Sequence, residues 1–437
     1  MQVFAVPVDG LFIVYRPLVP LAFVGNRAVA EVALRVGEGD SSVAISAEVR
    51  GFLEGIGFFR PDPPHPPSPS RDWHPTTAVM LLTNRCNLRC AYCYADAGEA
   101  VPRDTGFDFG RAAVDVVCRN AIETGAPRFE VCFHGGGEPM QAWGVMRQVA
   151  GYARSKGHPC DLTMVSNGVW SRAQREWVLA TLTSVTISLD GGRETQDRQR
   201  PLRSGKGSFE HVMATTRALD SAGFRYGIRL TATAPWRVQL PADVRFLCEN
   251  TGCQEFQVEP AFNTQRGTHR QASLEEGDAF VEGFTDAHEV ATAMGRRLTY
   301  SGARPWLRGR AFCTAPYDAL IVNADGNLVS CYEIAGDSHW LAALSTIGQV
   351  QGADVVVDHS ARCRLLDYLE TKQERQCRDC FCRWHCAGDC YTRSSVLGEG
   401  GLEATRERCR VNQGITKQLI LRNILASGGT VWAGDGA

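Results

Sequence analysis

The sequence of 437 residues predicts an α/β fold built on a parallel sheet, flanked by a small α+β domain and a cysteine-rich domain. Three observations carry that expectation. From residue 77 to about 300, short apolar runs alternate with amphipathic stretches, the pattern of repeated strand–helix units. A proline-dense segment, 61–75, separates these units from an N-terminal region of short strands. Beyond Cys313 the cysteine density rises sharply.

In chain order, residues 1–60 hold apolar runs at 11–15, 21–24 and 43–45, then a helical stretch over 47–59. An edge strand there can pair with an extended peptide; the alternative is a structural cap. Strands are predicted at 77–83, 128–134, 160–166, 183–189, 226–234 and 253–259, with helices including 109–124, 172–181, 209–222 and 274–294. Six such units fall short of a closed eight-fold barrel, and chemistry on such a sheet sits at the C-terminal strand ends. The expected domains are 1–60, the linker 61–75, the sheet domain 76–300, the cysteine-rich domain 301–426 and a flexible tail 427–437.

Composition narrows the function. Hydrophobic content of 44% with 22% charged residues is that of a soluble globular protein. A net charge of -2 leaves no electrostatic case for nucleic acid or an anionic membrane. No apolar run reaches the ~20 residues of a membrane span. The N-terminal stretch lacks a basic region and is broken by Asp9 and Arg16, so no signal peptide is expected. Seventeen cysteines without such a signal point to metal-bound thiolates in a reducing cytoplasm rather than to disulfides.

The chemistry centres on Cys86-Asn87-Leu88-Arg89-Cys90-Ala91-Tyr92-Cys93, directly after the first sheet strand. Thiolates suit iron–sulfur clusters or zinc. Three of them on one loop leave a four-iron cubane with one iron free of protein ligand. A zinc knuckle and a plain electron-transfer cluster are the alternatives at this point. After the second strand comes Gly135-Gly136-Gly137-Glu138-Pro139, whose glycines let backbone approach a ligand closely. The third strand ends in Ser166-Asn167-Gly168 and the fourth in Ser188-Leu189-Asp190-Gly191, side chains that hydrogen-bond a ribose or carboxylate or simply make turns.

The octapeptide, with aromatic Tyr92 before its last cysteine, resembles the signature of radical S-adenosylmethionine (SAM) enzymes. The resemblance implies a partial (β/α)6 TIM-like barrel. It also implies that Cys86, Cys90 and Cys93 hold a [4Fe–4S] cluster whose open iron is chelated by SAM, which is cleaved to a 5′-deoxyadenosyl radical. Gly136, Gly137, Glu138 and Pro139 resemble the motif for the SAM amine. Ser166, Asn167, Ser188 and Asp190 are placed like the family's ribose- and carboxylate-binding strand ends. The stretch 196–209 resembles the "HD-x-x-R … G-x-G-S-F" pattern of peptide-modifying members, with Gln196 in place of the histidine and Arg200 as the carboxylate clamp; Arg198 competes for that role.

The later cysteines resemble the SPASM domain of peptide- and protein-modifying members, which carries two auxiliary [4Fe–4S] clusters. By that resemblance Cys377, Cys380, Cys386 and Cys409 hold the outer cluster, and Cys313, Cys331 and Cys390 the inner one. No fourth inner ligand occurs in 301–312, so the inner cluster either keeps an open iron or recruits Cys363. A zinc ribbon is the alternative, but this region holds only one C-x2-C pair, Cys377 and Cys380. Cys118, Cys132, Cys160, Cys248 and Cys253 are expected to pack, and Cys382 is unassigned. Glu333 is the candidate base, with a solvated surface carboxylate as the alternative. Tyr332, not an Asp, follows Cys331, unlike the sulfatase-maturing subgroup.

The resemblance implies a maturase that abstracts hydrogen from a ribosomally made precursor peptide, leaving a C–C or C–S cross-link or an oxidised side chain. A flavodoxin- or ferredoxin-type protein is the expected reductant. Maturation of a folded protein (formylglycine or quinone cofactor) and a non-catalytic iron–sulfur protein are the alternatives.

Overall fold

The computed structural model describes residues 1–267, 272–398, 401–404 and 406–433, with 396–398, 401–404 and 406 described by backbone alone. Two compact units emerge. One gathers Met1–Pro69, Gly302–Phe312 and Thr371–Ala437; the other gathers Ser70–Ser301 and Cys313–Glu370.

The first, a meander unit, is built on β1 (Phe4–Val8), β2 (Leu11–Arg16) and β3 (Leu21–Gly25), antiparallel in sequence order. Alternation along β2 decides its two faces. Val14 packs with Phe23, Leu53 and Phe58 under helices α1 (Arg27–Gly37) and α2 (Ala47–Gly55). Ile13 and Tyr15 pack on the other face with Ile420, Ile424 and Trp432. Asn26 and Ser46 cap the two helices through the Val29 and Val49 amides. The C-terminal strand Val431–Ala433 pairs antiparallel with β3. The tail expected to be flexible is therefore ordered through residue 433, because Trp432 fills the core under β2; residues 434–437 lie outside the described set.

In the second, a sheet unit, parallel strands run β4 (Thr77–Leu81), β5 (Phe129–His134), β6 (Cys160–Ser166), β7 (Ser184–Ser188), β8 (Tyr226–Ala232) and β9 (Glu255–Pro260). Helices α3 (Phe107–Thr124), α4 (Trp143–Arg154), α5 (Arg172–Thr181), α6 (Arg193–Gln199), α7 (Phe209–Ser221), α8 (Trp236–Asn250) and α9 (Leu274–Ala293) lie between and after them. These are the six strand–helix units the sequence predicts.

The sheet does not stop there. Strand β10 (Arg297–Tyr300) adds in parallel beside β9, and β11 (Ala319–Val322) beside β4. The antiparallel strands β12 (Asn327–Val329), β13 (Thr346–Gln351) and β14 (Asp354–Val357) extend it further. Residues 313–370 thus belong to the sheet unit, while 302–312 and 371–437 join the meander unit, which corrects the boundary expected at 301. Four-residue apolar runs such as Ala319–Val322 carry too little periodicity to be told from a helix segment, and only pairing with β4 makes them strands. Among the described residues no helix is long and apolar enough to cross a membrane.

Trp432→Ala is expected to lower stability by roughly 3 kcal/mol through the cavity it leaves. Chemical unfolding measures this, and an unchanged midpoint would return the C-terminal strand to the status of a dispensable tail.

Candidate active site

The chain leaves β4 at Leu81, and its next residues are held before the first cysteine is reached. Thr83 Oγ1 accepts the Arg85 amide at 3.0 Å and donates to Asp104 at 2.5 Å. The Arg85 guanidinium pairs with the same carboxylate and reaches the Gln141 carbonyl at 2.5 Å. The cysteine loop is then stitched to residues 199–203. Arg89 and Ala91 amides donate to Pro201 and Gln199 carbonyls, both at 2.8 Å, and the Arg203 amide donates to Asn87 at 2.9 Å. From the loop after β9, Arg266 donates to the Cys90 carbonyl at 2.7 Å, the Ala97 carbonyl at 2.9 Å and Asp96 at 3.0 Å.

These bonds satisfy the main chain and leave the three half-buried thiols for other partners. Burial pushes the Cys86 thiol up to about 12, helped by Glu138 and by the Cys90 and Cys93 sulfurs. Burial likewise lifts Cys90 to about 11 against the pull of Arg200. The backbone amides of Leu88 and Ala97 point at Cys86 and Cys93 at 3.4 and 3.5 Å. Three neighbouring sulfurs, two of which already receive N–H donors, fit a thiolate-bound cluster.

The Gly135–Pro139 run packs directly against this loop. Gly137 and Glu138 amides donate to the Thr83 and Arg85 carbonyls at 2.7 and 2.8 Å. A Cβ on Gly137 would lie 2.0 Å from the Arg85 carbonyl oxygen, so only glycine fits there. Glu138 is buried; its carboxylate accepts Ser166 Oγ at 2.6 Å, the Asn167 amide at 2.8 Å and the Met140 amide at 3.3 Å, capping the short turn Pro139–Ala142. Ser166 is further engaged by Trp170 Nε1 at 2.7 Å. Asn167 donates to Asn87 Oδ1 at 2.8 Å and points at Cys86 Sγ at 4.0 Å. The structure engages Ser166 with Glu138, where the sequence offered a ribose or carboxylate contact or a simple turn. Ser188, ending β7, is half-buried.

Asp190 and Arg200 are buried together. Arg200 Nη1 donates to the Tyr92 hydroxyl, which donates to Asp190 Oδ2, each at 2.5 Å; Arg200 stands 3.9 Å from Asp190 Oδ1. Asp190 also accepts Gln199 Nε2 and the Thr231 amide, both at 3.0 Å. Burial still raises its carboxyl above the usual range, against the pull of Arg200. Arg200 Nε is buried without a partner, a donor that fits an incoming carboxylate. Arg198 is exposed and faces Glu194, whereas Arg200 is buried. Gln196 accepts the Asp190 amide and donates to Ser208, both at 3.0 Å.

Glu333 is buried, which corrects the picture of a solvated carboxylate; its amide points at Cys331 Sγ at 3.5 Å. The Tyr332 ring stacks on His134, centroids 5.3 Å apart. His134 Nδ1 lies 3.0 Å from the Gly135 amide nitrogen and 3.3 Å from the Gly135 carbonyl oxygen. Burial and Arg229 push that imidazole down to about 4, while Glu333 pulls the other way.

The second cysteine set divides between the units. Cys377, Cys380, Cys386 and Cys409 all lie in the meander unit, as does Cys390. Cys313 (exposed), Cys331 (buried) and Cys363 (exposed) lie in the sheet unit. Cys377 feels both Cys380 and Cys409, and Cys386 feels Cys377 and Cys409, so the four outer thiols form one neighbourhood. A hydrogen bond from Cys382, with a second from Gln413, brings Cys380 down to about 6 despite burial. Among the described residues no three His, Cys, Asp or Glu side chains converge as on one metal ion; the ligands of a four-iron cubane stand farther apart.

Sequence reading missed Arg266, Gln199 and Asn87. Their one signal is position, since each falls on a segment beyond a strand's C-terminal end or on the cysteine loop itself. A cavity of about 720 Å³ opens beside Cys86, lined among others by Arg85, Asn87, Glu99, Gln141 and Arg203.

Comparison with known proteins matches residues 80–233 to the Radical SAM superfamily. The chain is 29% identical over 163 residues to the Fe-coproporphyrin III synthase of Methanosarcina barkeri, covering 37% of this chain and 38% of that one. It is 24% identical over 269 residues to the sporulation killing factor maturation protein SkfB of Bacillus subtilis, covering 59% and 60%. The chain thus spans 38% to 60% of the length of these curated relatives. Among solved structures, anSMEcpe with bound AdoMet and the Kp18Cys peptide superposes with a TM-score of 0.63 at 15% identity, over 80% of this chain and 99% of that one; the likeness is one of fold.

Two outcomes test the loop. Arg266→Met is expected to weaken iron retention under chelator challenge by on the order of tenfold, and undiminished retention would remove Arg266 from the site. Metal must displace thiol protons, and the raised Cys86 and Cys90 thiols hold theirs at neutral pH. Ferrous ion affinity should therefore climb between about pH 7 and pH 9, and a flat profile would contradict the burial of these thiols.

Proposed function

We propose that this Radical SAM enzyme is a peptide maturase, acting on a ribosomally made precursor in the reducing cytoplasm. The observation that carries this reading is that one chain holds both the Cys86/Cys90/Cys93 loop and a second gathered set, Cys377, Cys380, Cys386 and Cys409. SkfB, whose name describes a maturation protein, supports the same direction.

Cys86, Cys90 and Cys93 would hold the SAM-binding [4Fe–4S] cluster, and the outer four cysteines an auxiliary one. Bound there, cluster and SAM supply one-electron cleavage of a sulfonium and a carbon radical able to abstract hydrogen. The residues of the chain do the positioning. Gly135 to Pro139 and the Glu138 carboxylate hold the loop's approach and the β6 tip. Arg200 offers its unpartnered Nε to a carboxylate while Tyr92 and Asp190 hold its charge in place. Glu333, buried within electrostatic reach of neutral His134, is the acceptor for a proton leaving the substrate. Among the described residues strand β1 pairs on one side only, with β2, and its other edge suits an extended leader segment. The cavity beside Cys86 is where an external flavodoxin- or ferredoxin-type reductant approaches the cluster.

A second reading, tetrapyrrole chemistry, is favoured by the 29% identity to the coproporphyrin enzyme, but that match covers only 37% of this chain. Anaerobically reconstituted protein is to be incubated with SAM, dithionite and peptides encoded beside its gene. Release of 5′-deoxyadenosine together with a peptide lighter by two hydrogen atoms is the expected result. No 5′-deoxyadenosine would leave an electron carrier. Conversion of a tetrapyrrole or of a folded protein, with the peptides untouched, would transfer the reading to those substrates.

A further inference from the structure

The four outer thiols sit among donors and a buried lysine that, among the described residues, has no carboxylate at ion-pair distance. Cys386 Sγ accepts the Asn412 side-chain amide and Cys380 Sγ that of Gln413, both at 3.3 Å. Cys377 accepts the backbone N–H of Gly388. That amide is aimed by three successive residues with positive φ, Ala387 at 46°, Gly388 at 87° and Asp389 at 60°. Residues with a Cβ adopt this conformation at a cost of roughly 1 kcal/mol each, so the turn is held by its surroundings.

Lys372 is only 5% exposed. Its Nζ donates to Ser394 Oγ at 2.5 Å, a neutral partner. Among the described residues no carboxylate lies within ion-pair distance of it. Asp389 is held by Arg408 through bonds of 2.6 and 3.1 Å and acts on Lys372 only from farther away. The other negative charge in its surroundings is sulfur: Cys390, Cys386 and Cys377. A buried ammonium without a counter-ion is costly, and a thiolate-ligated cluster of net negative charge would supply one.

We propose that Lys372, Asn412 and Gln413 poise the outer cluster, stabilising its more negative, reduced state and so raising its reduction potential. Hydrogen bonds to cluster sulfurs and nearby charge are the levers by which proteins set such potentials. The proposal rests on the reading that Cys377, Cys380, Cys386 and Cys409 hold a [4Fe–4S] cluster.

The test uses the full chain carrying Cys86→Ala, Cys90→Ala and Cys93→Ala, reconstituted anaerobically and titrated with a redox mediator under electron paramagnetic resonance. The signal followed is the one that Cys380→Ala abolishes. Lys372→Met is expected to retain iron while the equilibrium constant for reduction falls about tenfold, or 59 mV for one electron. Asn412→Leu and Gln413→Leu shift it the same way by less, and Lys372→Arg restores it. Loaded variants with an unmoved potential would overturn the poise alone. If Lys372→Met does not fold, Gln413→Leu, at a half-exposed position, decides the question. Zinc in place of iron, or no iron at all, in the chain lacking Cys86, Cys90 and Cys93 would bring down the cluster reading itself.

Discussion

Everything at the mouth of the sheet depends on one buried carboxylate. Glu138 accepts from Ser166, Asn167 and Met140 while its own amide holds Arg85. It thereby joins the ends of β5 and β6 to the segment leading into Cys86. Burial raises its carboxyl above the usual range, and the amides of Asn167 and Met140 and the Ser166 hydroxyl pull it back. A buried acid with one partner removed costs several kcal/mol, so Ser166 and Asn167 cannot be separated from the geometry of the cysteines. Residues that look like ligand contacts at strand tips are in part the brackets that hold the ligand-binding loop.

The same economy governs Asp190, Tyr92 and Arg200. A guanidinium taken out of water needs an acceptor, and the Tyr92 hydroxyl and the nearby Asp190 carboxylate provide one side of it. The Nε left without a partner keeps a directional donor in a low-dielectric setting, where a charge-assisted bond is strongest. Gln196 ties this group to the next helix. An amide both accepts and donates, so it links the Asp190 main chain to Ser208.

The meander unit follows another logic. Its sheet is covered on both faces, by α1 and α2 on one side and by the helix Arg406–Ala426 on the other. That helix supplies both core residues, Ile420 and Ile424, and the sulfur donors Asn412 and Gln413. Packing of the helix therefore also orients polar groups at the thiols, and a change on its apolar face should be felt by any cluster bound there.

The sequence alone determined what is local. The spacing of Cys86, Cys90 and Cys93 is set by one loop, the six strand–helix units by hydrophobic periodicity, and the Glu138-Pro139 turn by its own residues. Only the tertiary structure decided which distant groups meet them. Arg266 reaches the Cys90 carbonyl across more than a hundred residues, β11 finds β4 in parallel, Trp432 closes the core under β2, and Cys377 meets Cys409. The physical reason is the same in each case. Periodicity and spacing report the free energy of a segment against its neighbours in sequence. Parallel pairing and buried polar bonds depend on register and burial, which exist only once the whole chain has packed.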